Sequence, residues 1–196
     1  MRAFLAIDLP AEIRATLQSL QRELGQSRAD VTWVEAAQLH VTLKFLDEID
    51  ERQRAAVEDL LGRVARCERP FTLGFGSLGA FPSAEAPRVI WVGLAEGADV
   101  VVRVAEAIER EGAQIPLRSD ERQYVPHVTL GRVGSPNRRE RLVQRIRTVA
   151  WTIPSPWRVA SLALYQSVLT STGPRYTLLA EVPLLGDART GEANPP

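Results

Sequence analysis

The chain contains two histidines, His40 and His127, and each of them begins the same tetrapeptide, His-Val-Thr-Leu. A side chain that gains or loses a proton near neutral pH is therefore present twice, in identical local settings. A lone histidine in a strand is more often a packed residue than a catalyst, but unrelated packed histidines would not share their next three residues. The duplication predicts two matching strands that contribute to one site.

Strand geometry selects which side chains of the tetrapeptide act together. Residues two apart on a strand point to the same face, so His40 and Thr42 project together, and so do His127 and Thr129. The Val and Leu of each copy point the other way, into a core. If the two strands are neighbours around a pseudo-twofold axis, two imidazoles and two hydroxyls converge on one pocket.

Such a pocket has the groups needed for acid and base catalysis on a phosphodiester. A neutral imidazole removes a proton from the attacking oxygen, and a protonated imidazole gives one to the leaving oxygen. The threonine hydroxyls can donate to the non-bridging phosphate oxygens and hold the phosphorus in line. We expect no metal, because two histidines leave a coordination shell short unless the chain folds back to add Asp47 and Glu48.

Composition excludes some classes of function. The 24 basic and 24 acidic side chains cancel, which is not typical of a protein that covers long stretches of nucleic acid. A ligand with a few phosphates is still allowed. The single cysteine, Cys67, excludes an internal disulfide. With no signal peptide evident near Met1 and no apolar run long enough to span a bilayer, we expect a cytoplasmic protein that does not bind membranes.

Hydrophobic periodicity predicts alternating strands and helices. In the first part of the chain we expect a strand over 2–9, a helix over 11–24, a strand over 39–45 and a helix over 51–67. A strand over 71–78 and a loop over 79–87 follow. The order then repeats as a strand over 88–94, a helix over 98–111, a strand over 125–132 and a helix over 138–149. Two further strands are expected over 157–166 and 176–182.

An equal spacing supports two copies of one strand, helix, strand, helix unit. Phe4 precedes His40 by 36 residues, and Trp91 precedes His127 by the same 36. We expect residues 1–186 to form a single bilobal domain. The last residues, 187–196, are rich in Gly, Pro and small polar types and are expected to be a disordered tail.

The tetrapeptides lie within a longer series of recognisable segments, RAFLAIDLP, WVEAAQLHVTLKFLDE, LGAFPSAEAPRVIWVGL, YVPHVTLGR and SVLTSTGPRYTLLAEVPL. In this order the segments resemble the 2H phosphoesterases, which are named for two HxT or HxS motifs. Within that group they resemble the LigT-like RNA 2′,3′-cyclic phosphodiesterases, also known as 2′-5′ RNA ligases. The resemblance covers nearly the whole chain up to the tail. One departure is Asp47, where many relatives have Gly.

The resemblance implies an α+β fold with two antiparallel sheets, backed by helices, around a central cleft with pseudo-twofold symmetry. It also implies hydrolysis of 2′,3′-cyclic phosphates at RNA or oligonucleotide ends to 2′-phosphomonoesters. With a 5′-hydroxyl in place of water as the nucleophile, the same site would join RNA ends through a 2′-5′ linkage, reversibly and without ATP. No cofactor and no protein partner are implied, and we expect a monomer.

By the same resemblance, His40 is the proton donor to the departing 3′ oxygen and His127 is the proton acceptor that activates water. Thr42 and Thr129 hold the phosphate. The residues themselves do not distinguish acid from base, because the two motifs are alike and the histidines must exchange roles in the reverse reaction.

Three neighbouring residues are candidate substrate contacts. Lys44 shares the parity of His40, so in an unbroken strand it faces the cleft and attracts phosphate, unless it is a solvated edge lysine. Arg132 faces away by strict alternation, but a bulge at Gly131 would turn it toward substrate. Phe45 could stack on a terminal base, as could Trp33, Phe81 and Tyr124, with core packing as the alternative for all four.

The sequence is also compatible with two other functions. The same site could act on a different substrate, such as a small cyclic nucleotide, an ADP-ribose cyclic phosphate or a 2′-5′ oligonucleotide. The chain could also be a non-catalytic module that binds RNA ends without turnover. Rates on a substrate panel distinguish the first alternative, and binding without turnover would identify the second.

Overall fold

Alternating strands and helices make up the part of the chain that the structure, a computed structural model, describes: residues 1–117, 123–171 and 173–186. The expected tail, 187–196, lies outside these residues. The helices are α1 (Ala11–Gly25), α2 (Glu51–Cys67), α3 (Ala98–Gly112) and α4 (Arg139–Thr148). The strands are β1 (Arg2–Asp8), β2 (Val31–Trp33), β3 (His40–Glu48), β4 (Phe71–Leu73), β5 (Phe75–Phe81), β6 (Val89–Leu94), β7 (His127–Val133), β8 (Trp157–Val159), β9 (Ser161–Thr170) and β10 (Gly173–Pro183).

The four predicted helices are confirmed, and α2 has the predicted bounds. Its start is fixed by a capping box, in which the Asp50 carboxylate accepts from the Gln53 amide at 2.7 Å and the Gln53 side chain accepts from the Asp50 amide at 2.9 Å. The strands predicted over 71–78 and 157–166 are each split in two, because β4 and β8 leave the main sheet and pair with each other. The three-residue β2 was not predicted, since it is too short to show a period.

The main sheet is antiparallel, with the strand order β10-β9-β1-β3-β7-β6-β5, and β2 also pairs with β7. The α+β class is confirmed. The two sheets expected from the resemblance are joined through the motif strands β3 and β7, where Val41 lies opposite Val128. The two motifs therefore meet where the two halves of the sheet join.

The helices are exchanged between the two halves of the sequence. α2 and α3 pack together and contact β9, β10 and β3. They are linked by ion pairs between Arg63 and Glu111 at 3.1 Å and between Arg103 and Glu68 at 3.6 Å. α1 instead packs with α4, and its Gln21 side chain reaches β7. Each of the two helix pairs thus combines one helix from each half of the sequence.

The predicted apolar faces of the helices form the core. On α1 and α2, the apolar residues at helical spacing are buried, namely Ile13, Leu17, Leu20, Leu24, Val57, Leu60, Leu61 and Val64. Fully burying a side chain of this size contributes roughly 1.5–3 kcal/mol, so these faces fix the helices on the sheet. Within the described residues, no helix is both long and apolar enough to cross a membrane.

Candidate active site

The two motif strands place their polar side chains on a common face. β3 and β7 are antiparallel, with Val41 opposite Val128. Continued by one residue on each side, that register sets His40 toward Thr129 and Thr42 toward His127. The imidazoles are near enough for the charge of His127 to lower the pKa of His40. The predicted convergence of two histidines and two threonines therefore follows from one pairing at the centre of the sheet.

Each imidazole is oriented by a main-chain carbonyl two residues earlier. His40 Nδ1 is 2.7 Å from the oxygen of Gln38, and His127 Nδ1 is 2.6 Å from the oxygen of Val125. Because a carbonyl oxygen only accepts, Nδ1 must carry the hydrogen in both rings. Proton exchange is then assigned to Nε2. His40 Nε2 lies 2.9 Å from Thr42 Oγ1, whose hydroxyl donates to it when the ring is neutral.

Aromatic rings hold both imidazoles in place. Phe4 stacks on His40 with ring centroids 4.7 Å apart, and Tyr176 meets the same ring edge-on at 5.5 Å. Phe81 meets His127 edge-on at 5.2 Å. Such contacts restrict ring rotation and exclude water from one side of each imidazole.

Trp91 also packs on His127, with centroids 6.0 Å apart, so both rings identified by the 36-residue spacing contact a histidine. The two positions still differ in register. Trp91 lies directly opposite the threonine of its motif, Thr129. Phe4 does not, because the residue opposite Thr42 is Ala6, two residues further along β1. The equal spacing thus reflects similar packing, but not identical pairing.

Burial lowers the pKa of both histidines. At His40 this is opposed by the Gln38 carbonyl and the Asp8 carboxylate. At His127 the Val125 carbonyl opposes it, and the Arg132 charge lowers the pKa further. The free site therefore favours neutral imidazoles at neutral pH, and an anion bound between them would favour protonation of one ring.

Both motif strands carry a bulge at the same position of the tetrapeptide. Along β1 and β3, Ala6 lies opposite Thr42 but Leu5 lies opposite Lys44, so Leu43 is an extra residue. Along β6 and β7, Thr129 and Gly131 lie opposite consecutive residues, so Leu130 is extra. A bulge places two successive residues on one face, which reverses the side-chain parity beyond it.

The first bulge makes the prediction for Lys44 wrong. Lys44 pairs with the core residue Leu5 and is itself buried, and its ammonium contacts the carboxylate of Glu109 on α3. It therefore lies on the helix side of the sheet, away from the histidines. Parity reversal brings Phe45 to the cleft face instead, where it is 60% exposed and its ring centroid is 6.2 Å from that of Phe4.

The second bulge turns Arg132 toward the site, as the sequence allowed. Arg132 lies opposite Val89, two residues from Trp91 and on the same face. Its charge acts on the pKa of His127 and also on that of Tyr176, where it opposes the increase caused by burial. Gly131 takes the buried position, where a Cβ would approach Trp33 and Val31 to 2.8 Å.

Sequence reasoning missed a small pocket beside His40. It is lined by Phe4, Asp8, Arg14, Ala37, Gln38, Leu39, His40, Tyr165 and Tyr176. Asp8 accepts from the Tyr165 hydroxyl at 2.7 Å and pairs with Arg14 at 3.5 Å. The available signal was an acidic residue at the end of the apolar run that forms β1.

The other aromatic candidates are in packed positions. Trp33 and Tyr124 pack against the hydrophobic core, and Phe81 packs on Trp91 with centroids 5.0 Å apart. The Tyr124 hydroxyl donates to the Thr42 carbonyl at 2.7 Å. In the described ranges, no cluster of three or more His, Cys, Asp or Glu side chains is arranged to hold a metal ion.

Comparison with known proteins gives a consistent result. Residues 9–169 match the family model of the 2′-5′ RNA ligase superfamily. A Methanothermobacter thermautotrophicus protein named RNA 2′,3′-cyclic phosphodiesterase is 33% identical over 177 residues, which cover 90% of this chain and 95% of the relative. An Aquifex aeolicus protein of the same name is 34% identical over 191 residues, covering 95% and 98%.

The fold is likewise similar to that of E. coli LigT, whose crystal structure in complex with 3′-AMP has a TM-score of 0.75 and 28% identity, over 93% of this chain and 97% of that one. The family match spans most of the sequence and includes both histidine motifs. Together with the shared fold, it shows that the chain belongs to the 2′-5′ RNA ligase superfamily.

Proposed function

We propose that the protein is an RNA 2′,3′-cyclic phosphodiesterase, which hydrolyses the cyclic phosphate at an RNA end to a 2′-phosphomonoester without a metal. The observation that carries this is the pairing of Val41 with Val128, which sets an imidazole and a hydroxyl from each motif strand around one local twofold axis. Each Nδ1 is already engaged by a carbonyl. Two Nε2 atoms are thus available for one phosphate, and relatives of similar length carry the same activity in their names.

In the proposed reaction, His127 Nε2 accepts a proton from water as the water oxygen forms a bond to phosphorus. The bond from phosphorus to the 3′ oxygen breaks, and protonated His40 gives its Nε2 proton to that oxygen. The electron pair of the broken bond stays on the 3′ oxygen, which becomes a hydroxyl. The product keeps its phosphate on the 2′ oxygen.

Thr42 links substrate binding to the protonation of His40. In the free site its hydroxyl donates to the neutral Nε2. When that nitrogen gains a proton it becomes a donor, so the Thr42 hydroxyl is released to donate to a non-bridging phosphate oxygen. Thr129, which shares the face of His127, offers a second hydroxyl to the phosphate oxygens. Both threonines therefore stabilise charge on the phosphate as the reaction proceeds.

The same groups serve ligation when a 5′-hydroxyl replaces water as the nucleophile. A bond then forms between the 5′ oxygen and phosphorus, the bond to the 3′ oxygen breaks, and the product is a 2′-5′ linkage. Because phosphodiester exchange is nearly balanced, no ATP is needed. His127 accepts the proton of the 5′-hydroxyl and His40 protonates the 3′ oxygen, as in hydrolysis. The two histidines exchange roles only when the 3′-hydroxyl attacks the 2′-5′ linkage and reverses the ligation, which suits a site with a local twofold axis.

Two side chains beyond the bulges supply substrate contacts in this proposal. Arg132 can bind a non-bridging oxygen of the reacting phosphate, and Phe45 offers an exposed ring on which the terminal base stacks. We further propose that residues 1–186 act as one bilobal domain in a cytoplasmic monomer, which is consistent with one cysteine and a balanced charge.

A direct test uses an RNA oligonucleotide with a 2′,3′-cyclic phosphate end in excess chelator, with the product separated as the 2′- or 3′-phosphate. We expect a 2′-phosphate product and undiminished turnover in chelator. A 3′-phosphate product, or activity that requires added metal, would contradict the proposal. Cyclic mononucleotides, an ADP-ribose cyclic phosphate and 2′-5′ oligonucleotides, assayed in parallel, show whether RNA ends are preferred.

A further inference from the structure

Gln21 and Tyr124 occupy comparable places at the two bulges, on opposite sides of the site. Gln21 is on α1, from the first half of the sequence, yet its Nε2 donates at 2.8 Å to the carbonyl of Leu130 on β7. Tyr124 precedes β7, in the second half, yet its hydroxyl donates at 2.7 Å to the carbonyl of Thr42 on β3. Each bulge is therefore held by a side chain from the other half of the chain.

These contacts involve the residues that define the bulges. Leu130 is the extra residue of β7, and Thr42 directly precedes the extra residue of β3. A bulge interrupts the regular ladder, so its carbonyls need partners from elsewhere. The Leu130 oxygen accepts from the Val34 amide at 2.9 Å as well as from Gln21, and Gln21 Nε2 also donates to the Val34 oxygen at 2.8 Å.

Burial makes the Gln21 contact consequential. Gln21 is 6% exposed and is among the few buried polar side chains of the described residues. A buried amide is retained without a penalty only when its hydrogen bonds are made, and a buried carbonyl that loses its donor is destabilised. The amide therefore favours the arrangement of β2 and β7 in which both carbonyls point to Nε2.

We propose that Gln21 and Tyr124 are positioning residues, which hold the two bulges so that Arg132 and Phe45 face the substrate. A one-residue change in where β7 bulges would reverse the parity of Arg132 and turn it away from His127. The corresponding change in β3 would turn Phe45 away and bring Lys44 to the cleft. Gln21 acts through Arg132, and Tyr124 acts through Phe45. This inference rests on the proposed function for its kinetic test.

The decisive experiment is a double-mutant cycle between Gln21→Met and Arg132→Ala, with initial rates on the cyclic-phosphate RNA. Met keeps the size of Gln and removes the donor. Alone, Gln21→Met should raise KM about tenfold, the equivalent of one lost buried hydrogen bond, and change kcat less than about threefold. With Arg132→Ala already present, it should change KM less than about twofold.

Gln18→Met is the matched control, because Gln18 lies on the same helix and is exposed. It should leave KM unchanged. Tyr124→Phe, which removes only the hydroxyl, should raise KM in the unaltered protein and have little effect in Phe45→Leu. Equal factors in both backgrounds, or a Gln21→Met protein that binds substrate as well as Gln18→Met, would overturn the positioning role.

Hydrogen exchange separates this inference from the proposed function. Peptides that cover 127–133 should exchange faster in Gln21→Met than in Gln18→Met, and peptides that cover 40–46 should exchange faster in Tyr124→Phe. If the unaltered protein does not turn over the RNA, the proposed function fails, while exchange still tests the hydrogen bonds. Unchanged exchange in both variants would overturn the inference whatever the activity.

Discussion

The strands β3 and β7 are built alike up to the bulge and differently beyond it. Both carry His-Val-Thr-Leu, both anchor Nδ1 to the carbonyl two residues earlier, and both have the leucine as the extra residue. The next two positions then differ: Lys44 and Phe45 on β3 correspond to Gly131 and Arg132 on β7. In the proposed reaction the symmetric part moves protons in both directions, and the asymmetric part orients the substrate.

Removal of either imidazole should have the largest effect and tests the symmetric part. We expect His40→Ala and His127→Ala each to lower kcat on the cyclic-phosphate RNA by about 100- to 10,000-fold, because each removes one proton transfer. Initial rates at saturating RNA give kcat for each variant. Arg141→Ala, at an exposed position of α4, is the control. Full activity in either histidine variant would exclude the two-histidine mechanism.

The asymmetric part predicts different losses on the two sides of the site. Arg132→Met should lower kcat/KM on both an RNA oligonucleotide and a cyclic mononucleotide by about 10- to 100-fold, since it removes a charged hydrogen bond to phosphate. Phe45→Leu should lower it about 5- to 100-fold through KM, the range for the loss of one stacked base.

Ribose 2′,3′-cyclic phosphate, which has no base, distinguishes the two contacts. Phe45→Leu should not affect its turnover, whereas Arg132→Met should lower it as much as for RNA. If Phe45→Leu impaired the abasic substrate equally, the ring would be supporting Phe4 and His40 by packing and would not be orienting the terminal base.

The sequence predicted the symmetric part well and the asymmetric part poorly. Identical tetrapeptides and strand alternation were enough to place His40, Thr42, His127 and Thr129 on one face. Bulges depend on what lies across the sheet, so alternation placed Lys44 on the wrong face. For Arg132, strict alternation predicted the wrong face, and only the alternative of a bulge at Gly131 gave the face that the structure has.

Tertiary features had still less signal in the sequence. The helix exchange, which brings Gln21 to β7, depends on which half of the sheet each helix covers. A spacing of 36 residues cannot show this. The contact of Tyr176 with His40 joins residues on strands far apart in the chain. The segment that contains Tyr176 contributed to the family resemblance, but the sequence assigned no role to its ring.

The placement of Lys44 on the helix side of the sheet can be tested by measuring protein stability. Its ammonium is buried against Glu109, whose side chain is 37% exposed, so water partly screens the pair. Glu109→Gln should lower the free energy of unfolding by about 1–2 kcal/mol, because the buried ammonium loses a carboxylate that it contacts. Urea denaturation measures this. Lys44→Met should keep kcat/KM within about twofold, and a large loss of activity would indicate that Lys44 faces the substrate after all.

The smallest expected effect is a displacement of the pH profile, and it tests how the two halves tune their histidines. Burial lowers the pKa of both rings, so the bell of kcat/KM, which reports the free enzyme, should be centred on the acid side of the ordinary histidine pKa. The Asp8 carboxylate raises the pKa of His40, so Asp8→Asn should move the limb governed by His40 to lower pH. The Arg132 charge lowers the pKa of His127, so Arg132→Gln should move the other limb to higher pH.

Opposite displacements of different limbs would show that each histidine is tuned by its own neighbour, and would identify the limb that each one governs. Arg141→Gln should move neither limb, because its side chain is exposed on α4 and is not among the charges that act on either imidazole. Movement of a single limb by both Asp8→Asn and Arg132→Gln would mean that one histidine titrates in the productive range. The two motif strands would then be equivalent in sequence and geometry, but not in the chemistry proposed for them.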